Sequence, residues 1–144
     1  KNYNPQKIFI FDDLKLNKDL QYKIDKIKNK LGDYISVHIR RSDHSALAKK
    51  KNKFTEDDVF IDFIKNNKGN VYLATDCIKT QKMFKKIFPG RISINKDIKV
   101  SFKKRQTNTE DAIIDIIVCS DARRFQGSGY SSFSDLISQL NKNK

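Results

Sequence analysis

At 144 residues the chain has the length of one domain with a single sizeable core, which excludes two full lobes. It carries no apolar run near the length of a membrane span and no charged-then-apolar leader, and its two cysteines, Cys77 and Cys119, lack the spacing of a zinc site or a disulfide framework, so a cytoplasmic, reducing setting is expected. The formal charge of +13 attracts polyanions, from nucleic acid to phosphorylated ligands, without choosing among them.

In chain order, Leu16, Leu20, Ile24, Ile27 and Leu31 recur at helical spacing, with Asn17 as N-cap and Gly32 as stop. Tyr34 to Ile39 is short and β-branched, the pattern of a strand, and runs directly into the charged turn Arg40-Arg41-Ser42-Asp43. Thr55 is placed to cap an acidic first turn, Glu56-Asp57-Asp58, of a helix that continues through Phe60 and Ile64 to about Asn67. Val71 to Ala74 reads as a buried strand; Thr75-Asp76 closes it and opens a helix carrying Ile78, Met83, Phe84 and Ile87, stopped by Pro89-Gly90. Arg91 to Ile94 is a short strand, Asn95 to Asn108 a basic loop, and Thr109 to Cys119 a helix with Ala112, Ile113, Ile116 and Ile117 on its apolar face. Arg124 to Ser128 is a further strand, and a last helix begins at Ser131 with Phe133, Leu136, Ile137 and Leu140. The alternation predicts a parallel, doubly wound α/β sheet in a single domain spanning 1–144. Most lysines fall opposite the apolar residues, which reads as a solvated surface.

In an open parallel sheet, ligands bind outside the carboxyl ends of the strands. Three polar clusters fall there: His38 to Asp43, Thr75-Asp76, and Gly127 to Ser132. A guanidinium suits phosphate because its planar fork makes parallel, charge-assisted hydrogen bonds and stays cationic. Arg40 therefore reads either as a phosphate clamp or as one half of a surface ion pair, and Arg41 either orients Asp43 or holds a second phosphate oxygen. Gly127 and Gly129 before Ser131-Ser132 at a helix start suit an anion, or else form a turn with Ser131 as N-cap. Asp115, set among isoleucines, is costly to bury without a partner. A guanine ring would supply paired N–H donors; an ion pair or an exposed helix face would also satisfy it.

Four blocks in this order resemble the fucosyltransferase superfamily, which includes α1,6-fucosyltransferases, NodZ-type enzymes and protein O-fucosyltransferases. They are Val37-His38-Ile39-Arg40-Arg41-Ser42-Asp43, Val71-Tyr72-Leu73-Ala74-Thr75-Asp76, Asp111-Ala112-Ile113-Ile114-Asp115-Ile116, and Ser128-Gly129-Tyr130-Ser131-Ser132-Phe133-Ser134, within about Leu14 to Leu140. The resemblance implies a Rossmann-like C-terminal lobe of a GT-B glycosyltransferase that binds GDP-fucose and transfers fucose to a glycan or protein hydroxyl. It implies no bound metal or other cofactor, and the chain has no DxD motif. Arg40 would contact the β-phosphate and stabilise the leaving diphosphate, Asp115 the guanine, His38 the base through its backbone, and Ser131-Ser132 the diphosphate. Arg41, Asp43, Asp76, Gly129 and Tyr130 would complete the donor pocket.

The sequence departs from the superfamily in two respects. The α1,6 relatives carry a carboxylate shortly after the Arg motif, a candidate general base, whereas His44 to Ala48 holds none. His44 has a suitable ordinary pKa but equally suits a structural or solvated turn. A complete GT-B enzyme also has an N-terminal lobe, so this chain, which does not begin with Met, reads as an excised domain or mature fragment that binds donor without necessarily transferring sugar. Two other readings compete: a basic nucleic-acid-binding module, suggested by the charge and by Tyr3, Phe9, Phe11 and Phe102 near basic residues, and a scaffold lobe with a degenerate donor site.

Overall fold

Residues 18–41, 55–95, 109–129 and 131–141 are described by a computed structural model of the chain. They form α1 (Lys18–Leu31), β1 (Tyr34–Ile39), α2 (Asp57–Lys65), β2 (Asn70–Thr75), α3 (Ile78–Ile87), β3 (Ile92–Ser93), α4 (Thr109–Ser120), β4 (Phe125–Gln126) and α5 (Ser132–Leu140). The sheet order is β3-β2-β1-β4 and every neighbouring pair is parallel. The chain winds outward from β1 through β2 to β3, then returns to place β4 on the other side of β1. That reversal lies between β1 and β4, where a doubly wound sheet opens a crevice at its carboxyl edge.

Helices cover both faces, so all six residues of β1 are buried and its sequence is a continuous run instead of an alternation. Ile35, Val37 and Ile39 join Val71 and Leu73 of β2 against Phe60 and Ile64 of α2 and Phe84 of α3. On the opposite face, Tyr34, Tyr72 and Ala74 pack with Leu20 and Ile24 of α1, Ile114 and Val118 of α4 and Ile137 of α5. Each such buried side chain contributes about 1.5–3 kcal/mol relative to exposure.

α4 is apolar nearly all round because it lies between α1 and α5 as well as against the sheet. Its most buried positions therefore include Asp111, Ile114 and Val118, while Ile113 and Ile117 of the expected face are only partly buried. Its terminal carbonyls would be orphans in an isolated helix. Tyr34 Oη donates to Val118 O (2.6 Å), Ser36 Oγ to Cys119 O (2.9 Å) and Asn141 Nδ2 to Ser120 O (3.1 Å). Polar residues of the sheet and of the α5 C-cap thus cap a buried helix end.

Several local expectations are corrected. β3 and β4 each contain two residues, shorter than the strands expected over 91–94 and 124–128. Both are edge strands with one partner, and β1 recruits the rest of its pairing from flanking backbone, Arg123 N–H to Tyr34 O and Ser36 N–H to Arg124 O. Thr55 does not cap α2. Glu56 is the N-cap residue and makes no side-chain capping bond, and the Thr55 hydroxyl instead accepts Gly129 N–H (2.8 Å). α3 starts after Cys77, and Thr75 and Asp76 bond toward the β1 side; Thr75 Oγ donates to Ile39 O (2.6 Å). The described lysines of α1 and α3 are largely exposed, as a solvated face requires. Asn17, Asp43, His44, residues 96–108 and Tyr130 lie outside the described residues.

Candidate functional site

β1 ends at Ile39, and the next two amides point to opposite sides, as successive amides of an extended chain must. On the β4 side, Arg40 N–H donates to Ser128 Oγ (2.9 Å). On the β2 side, Arg41 N–H donates to Asp76 Oδ1 (2.9 Å). The second oxygen of Asp76 faces Arg40 Nε at 3.4 Å, an ion pair in which both side chains are mostly buried. The two residues that follow β1 are thus held from both neighbouring strands.

An open cleft of about 390 Å³ of empty space, part of it open solvent, lies at this edge; His38, Arg40, Thr75, Asp76, Ala112, Asp115 and Phe133 line it. It draws on the ends of β1 and β2, the first half of α4 and the first turn of α5. Arg40 and Asp76 place a cation and an anion at one part of the wall, and Asp115 places a carboxyl on α4.

Asp115 is satisfied by a partner the sequence did not reveal, the phenol of Tyr72, whose Oη donates to Oδ1 at 2.5 Å. Burial raises the Asp115 carboxyl to about 7, and Asp111 one turn earlier adds to the rise, while the Tyr72 hydrogen bond opposes it. Desolvation foremost, and the Asp115 carboxylate next, push the Tyr72 phenol upward in turn, so it stays a donor.

His38 enters the site by its ring. Nδ1 lies 2.6 Å from Ser134 Oγ and the ring packs on Phe133 with centroids 4.7 Å apart. Its carbonyl accepts the Ser128 hydroxyl (2.9 Å), a group the expected backbone contact to a base did not anticipate. Ser134 Oγ also accepts Ser128 N–H at 2.9 Å. Ser131 is the N-cap of α5 and accepts Ser134 N–H, and Ser132 is the exposed first residue of the helix. Gly129 N–H, a candidate anion donor, is bonded to Thr55 Oγ1.

Arg41 does not line the cleft. Its guanidinium donates to Thr55 O (2.8 Å) and Asp57 Oδ1 (2.7 Å) and lies 5.7 Å from the Phe60 ring centroid. It ties the turn after β1 to the acidic N-terminus of α2.

Sequence reasoning placed Ser128, Ser134 and Tyr72 inside its motif blocks but gave none of them a role of its own. The signal for the serines was their position in the Gly127-to-Ser134 segment, where a Cβ on Gly127 would fall 2.7 Å from Ser134 Cβ and 2.8 Å from its Oγ. Only glycine allows α5 to come this near the end of β4. Gly127→Ala is expected to displace Ser134 from His38 and Ser128 and to destabilise the fold by about 1–3 kcal/mol, read as a lowered urea midpoint. An unchanged midpoint would show that the α5 turn relaxes freely.

Fold and site together define a doubly wound α/β domain with an open cleft at the carboxyl edge of its parallel sheet, over the ends of β1 and β2. The family model described as GDP-fucose protein O-fucosyltransferase matches residues 4–142, and the chain belongs to this family. A search of curated protein sequences finds no match. Among solved structures, the chain is similar to NodZ α-1,6-fucosyltransferase soaked with GDP-fucose, with a TM-score of 0.62 at 20% identity. That likeness of fold covers 92% of this chain and 44% of the NodZ chain, so the chain spans less than half the length of that structure. Among the described residues no helix is long and apolar enough to cross a membrane, and no three His, Cys, Asp or Glu side chains form a metal-ligand set.

Proposed function

We propose that the cleft binds GDP-fucose and that the chain is the donor-side lobe of a GT-B fucosyltransferase, acting with a second lobe on a glycan or protein hydroxyl. The observation that carries this reading is the joint exposure of Arg40 and Asp115 to one cleft. A guanidinium is matched to a diphosphate and a carboxylate to the two N–H donors on one edge of guanine. The first turn of α5, with Ser131 and Ser132, adds a helix N-terminus near the same edge.

In the reaction, the acceptor oxygen forms a bond to the anomeric carbon as the bond from that carbon to the β-phosphate oxygen breaks. The bonding pair leaves with GDP, and the hydroxyl proton passes to a general base or to solvent. Arg40 stabilises the negative charge that grows on the β-phosphate. No step in this scheme is routed through a metal.

Titration calorimetry with GDP, GDP-fucose and UDP tests the reading. Saturable binding that favours GDP over UDP by at least about tenfold, or roughly 1.4 kcal/mol, is expected. Equal affinities would overturn the guanine assignment. Affinity that collapses with salt equally for GDP and any nucleic acid would favour a polyanion-binding module instead.

A further inference from the structure

Ser128 follows Gly127 beyond the end of β4, where the chain turns toward α5. A longer β4 would have paired its backbone with His38 and Arg40. Instead the Ser128 hydroxyl does both jobs, donating to His38 O at 2.9 Å and accepting Arg40 N–H at 2.9 Å. Its own N–H is held by Ser134 Oγ at 2.9 Å, and it is almost fully buried at 6% exposure. Ser134 is in turn the residue whose N–H is capped by Ser131 and whose Oγ meets His38.

One buried hydroxyl therefore joins the end of β1 to the start of α5. With its single proton given to the His38 carbonyl, its lone pairs face the Arg40 amide, so the geometry has one consistent donor and acceptor assignment. Asp76 performs the matching task from β2, holding the Arg41 amide and facing Arg40 Nε. The two act as jaws on the successive peptide units that flank the Arg40 Cα.

We infer that Ser128 is a positioning residue for Arg40, setting the backbone from which its guanidinium reaches the diphosphate of the ligand. The inference rests on the donor-site reading above. Ser128 does not line the cleft, so it acts through Arg40 and through the α5 turn without touching the ligand. Removing its hydroxyl leaves the Arg40 amide and the His38 carbonyl without this partner, and the turn then samples geometries in which the guanidinium misses the phosphate.

The experiment compares GDP and guanosine binding by calorimetry in the wild type, Ser128→Ala, Arg40→Ala and the double variant, with thermal melts for each. Ser128→Ala is expected to weaken GDP by about tenfold while guanosine changes less than about twofold, because only the phosphates report on Arg40. In the Arg40→Ala background the Ser128→Ala loss should vanish, the non-additivity of residues acting through one group. Ser128→Thr, which keeps the hydroxyl, should recover part of the GDP affinity. Equal losses for GDP and guanosine, or losses that add across the two sites, would overturn the inference and mark Ser128 as structural only. A wild type that binds GDP, with Ser128→Ala unaffected, overturns this inference alone. A wild type that binds neither ligand overturns the donor-site reading along with it.

Discussion

Arg40→Ala is expected to lower sugar transfer in the complete enzyme by about 10²–10³-fold in kcat, the usual loss of about 3–4 kcal/mol when one preorganised donor to a developing anion is removed. The fold should survive. The Arg40 bond to Ser128 is made by its backbone N–H, and the core under β1 is formed by Ile35, Val37 and Ile39, none of which the substitution touches. Asp76 keeps its bond from Arg41 N–H when it loses the Arg40 guanidinium. Arg40→Lys should recover only a fraction of the lost rate, because an ammonium can face Asp76 as a point charge but lacks the fork that matches two phosphate oxygens. Steady-state kinetics with melting curves checks both; kcat within about twofold of wild type for Arg40→Ala would remove Arg40 from the reaction.

Asp115→Asn carries the other large expected effect, and it has opposite signs for binding and for stability. An ionised carboxylate accepts both guanine N–H donors, whereas an amide offers one acceptor and one mismatched donor. The substitution should weaken GDP by about 2–3 kcal/mol, roughly 30- to 150-fold, with little effect on UDP. The stability effect follows from burial. The Asp115 carboxyl stands at about 7 in the folded chain against an ordinary value of 3.8, so between roughly pH 4 and pH 7 the folded state binds more protons than the unfolded one. Stability therefore falls as pH rises through that window, by an amount on the order of 4 kcal/mol at most, and is flat above it. The amide introduced by Asp115→Asn would retain an acceptor for the Tyr72 hydroxyl without this slope. Melts should show the variant more stable than wild type at about pH 8 and nearly equal to it at about pH 4. The same ionisation governs binding: guanosine affinity in the wild type should rise with pH up to about 7 and then level off. Guanosine avoids the titration of the phosphates, and a flat profile would separate Asp115 from base recognition.

Much of the scaffold was legible because it depends on local pattern. Tyr34 to Ile39 is a strand with the expected bounds because a β-branched run buried on both faces has few alternatives. Ser131 caps α5 by a bond three residues along the chain, a relation visible in sequence. The expected clustering of polar groups at the carboxyl edge follows from strand direction alone: His38, Arg40, Thr75 and Asp76, from two of the three expected clusters, line one cleft, whereas no described residue of Gly127 to Ser132 does.

Thr55 marks where local logic ends. A Thr before three acidic residues looks like an N-cap, yet its hydroxyl answers to Gly129, 74 residues away. Arg41 is likewise drawn from the turn to Asp57 and the Thr55 carbonyl, leaving Arg40 as the cleft guanidinium. Neither an ion pair nor an exposed face satisfies Asp115; its partner is Tyr72, 43 residues away on the strand beneath α4.

By itself, then, the sequence determined the order of elements, the parallel winding and the edge at which polar groups gather, since these follow from periodicity and chain direction over short spans. Only the tertiary structure decided which of two adjacent arginines enters the cleft, what holds Asp115, and that Ser128 takes the place of a missing strand residue. Those choices depend on groups 16 to 90 residues apart competing for the same donors and acceptors, and hydrogen-bond competition is resolved only when the sheet brings the competitors together.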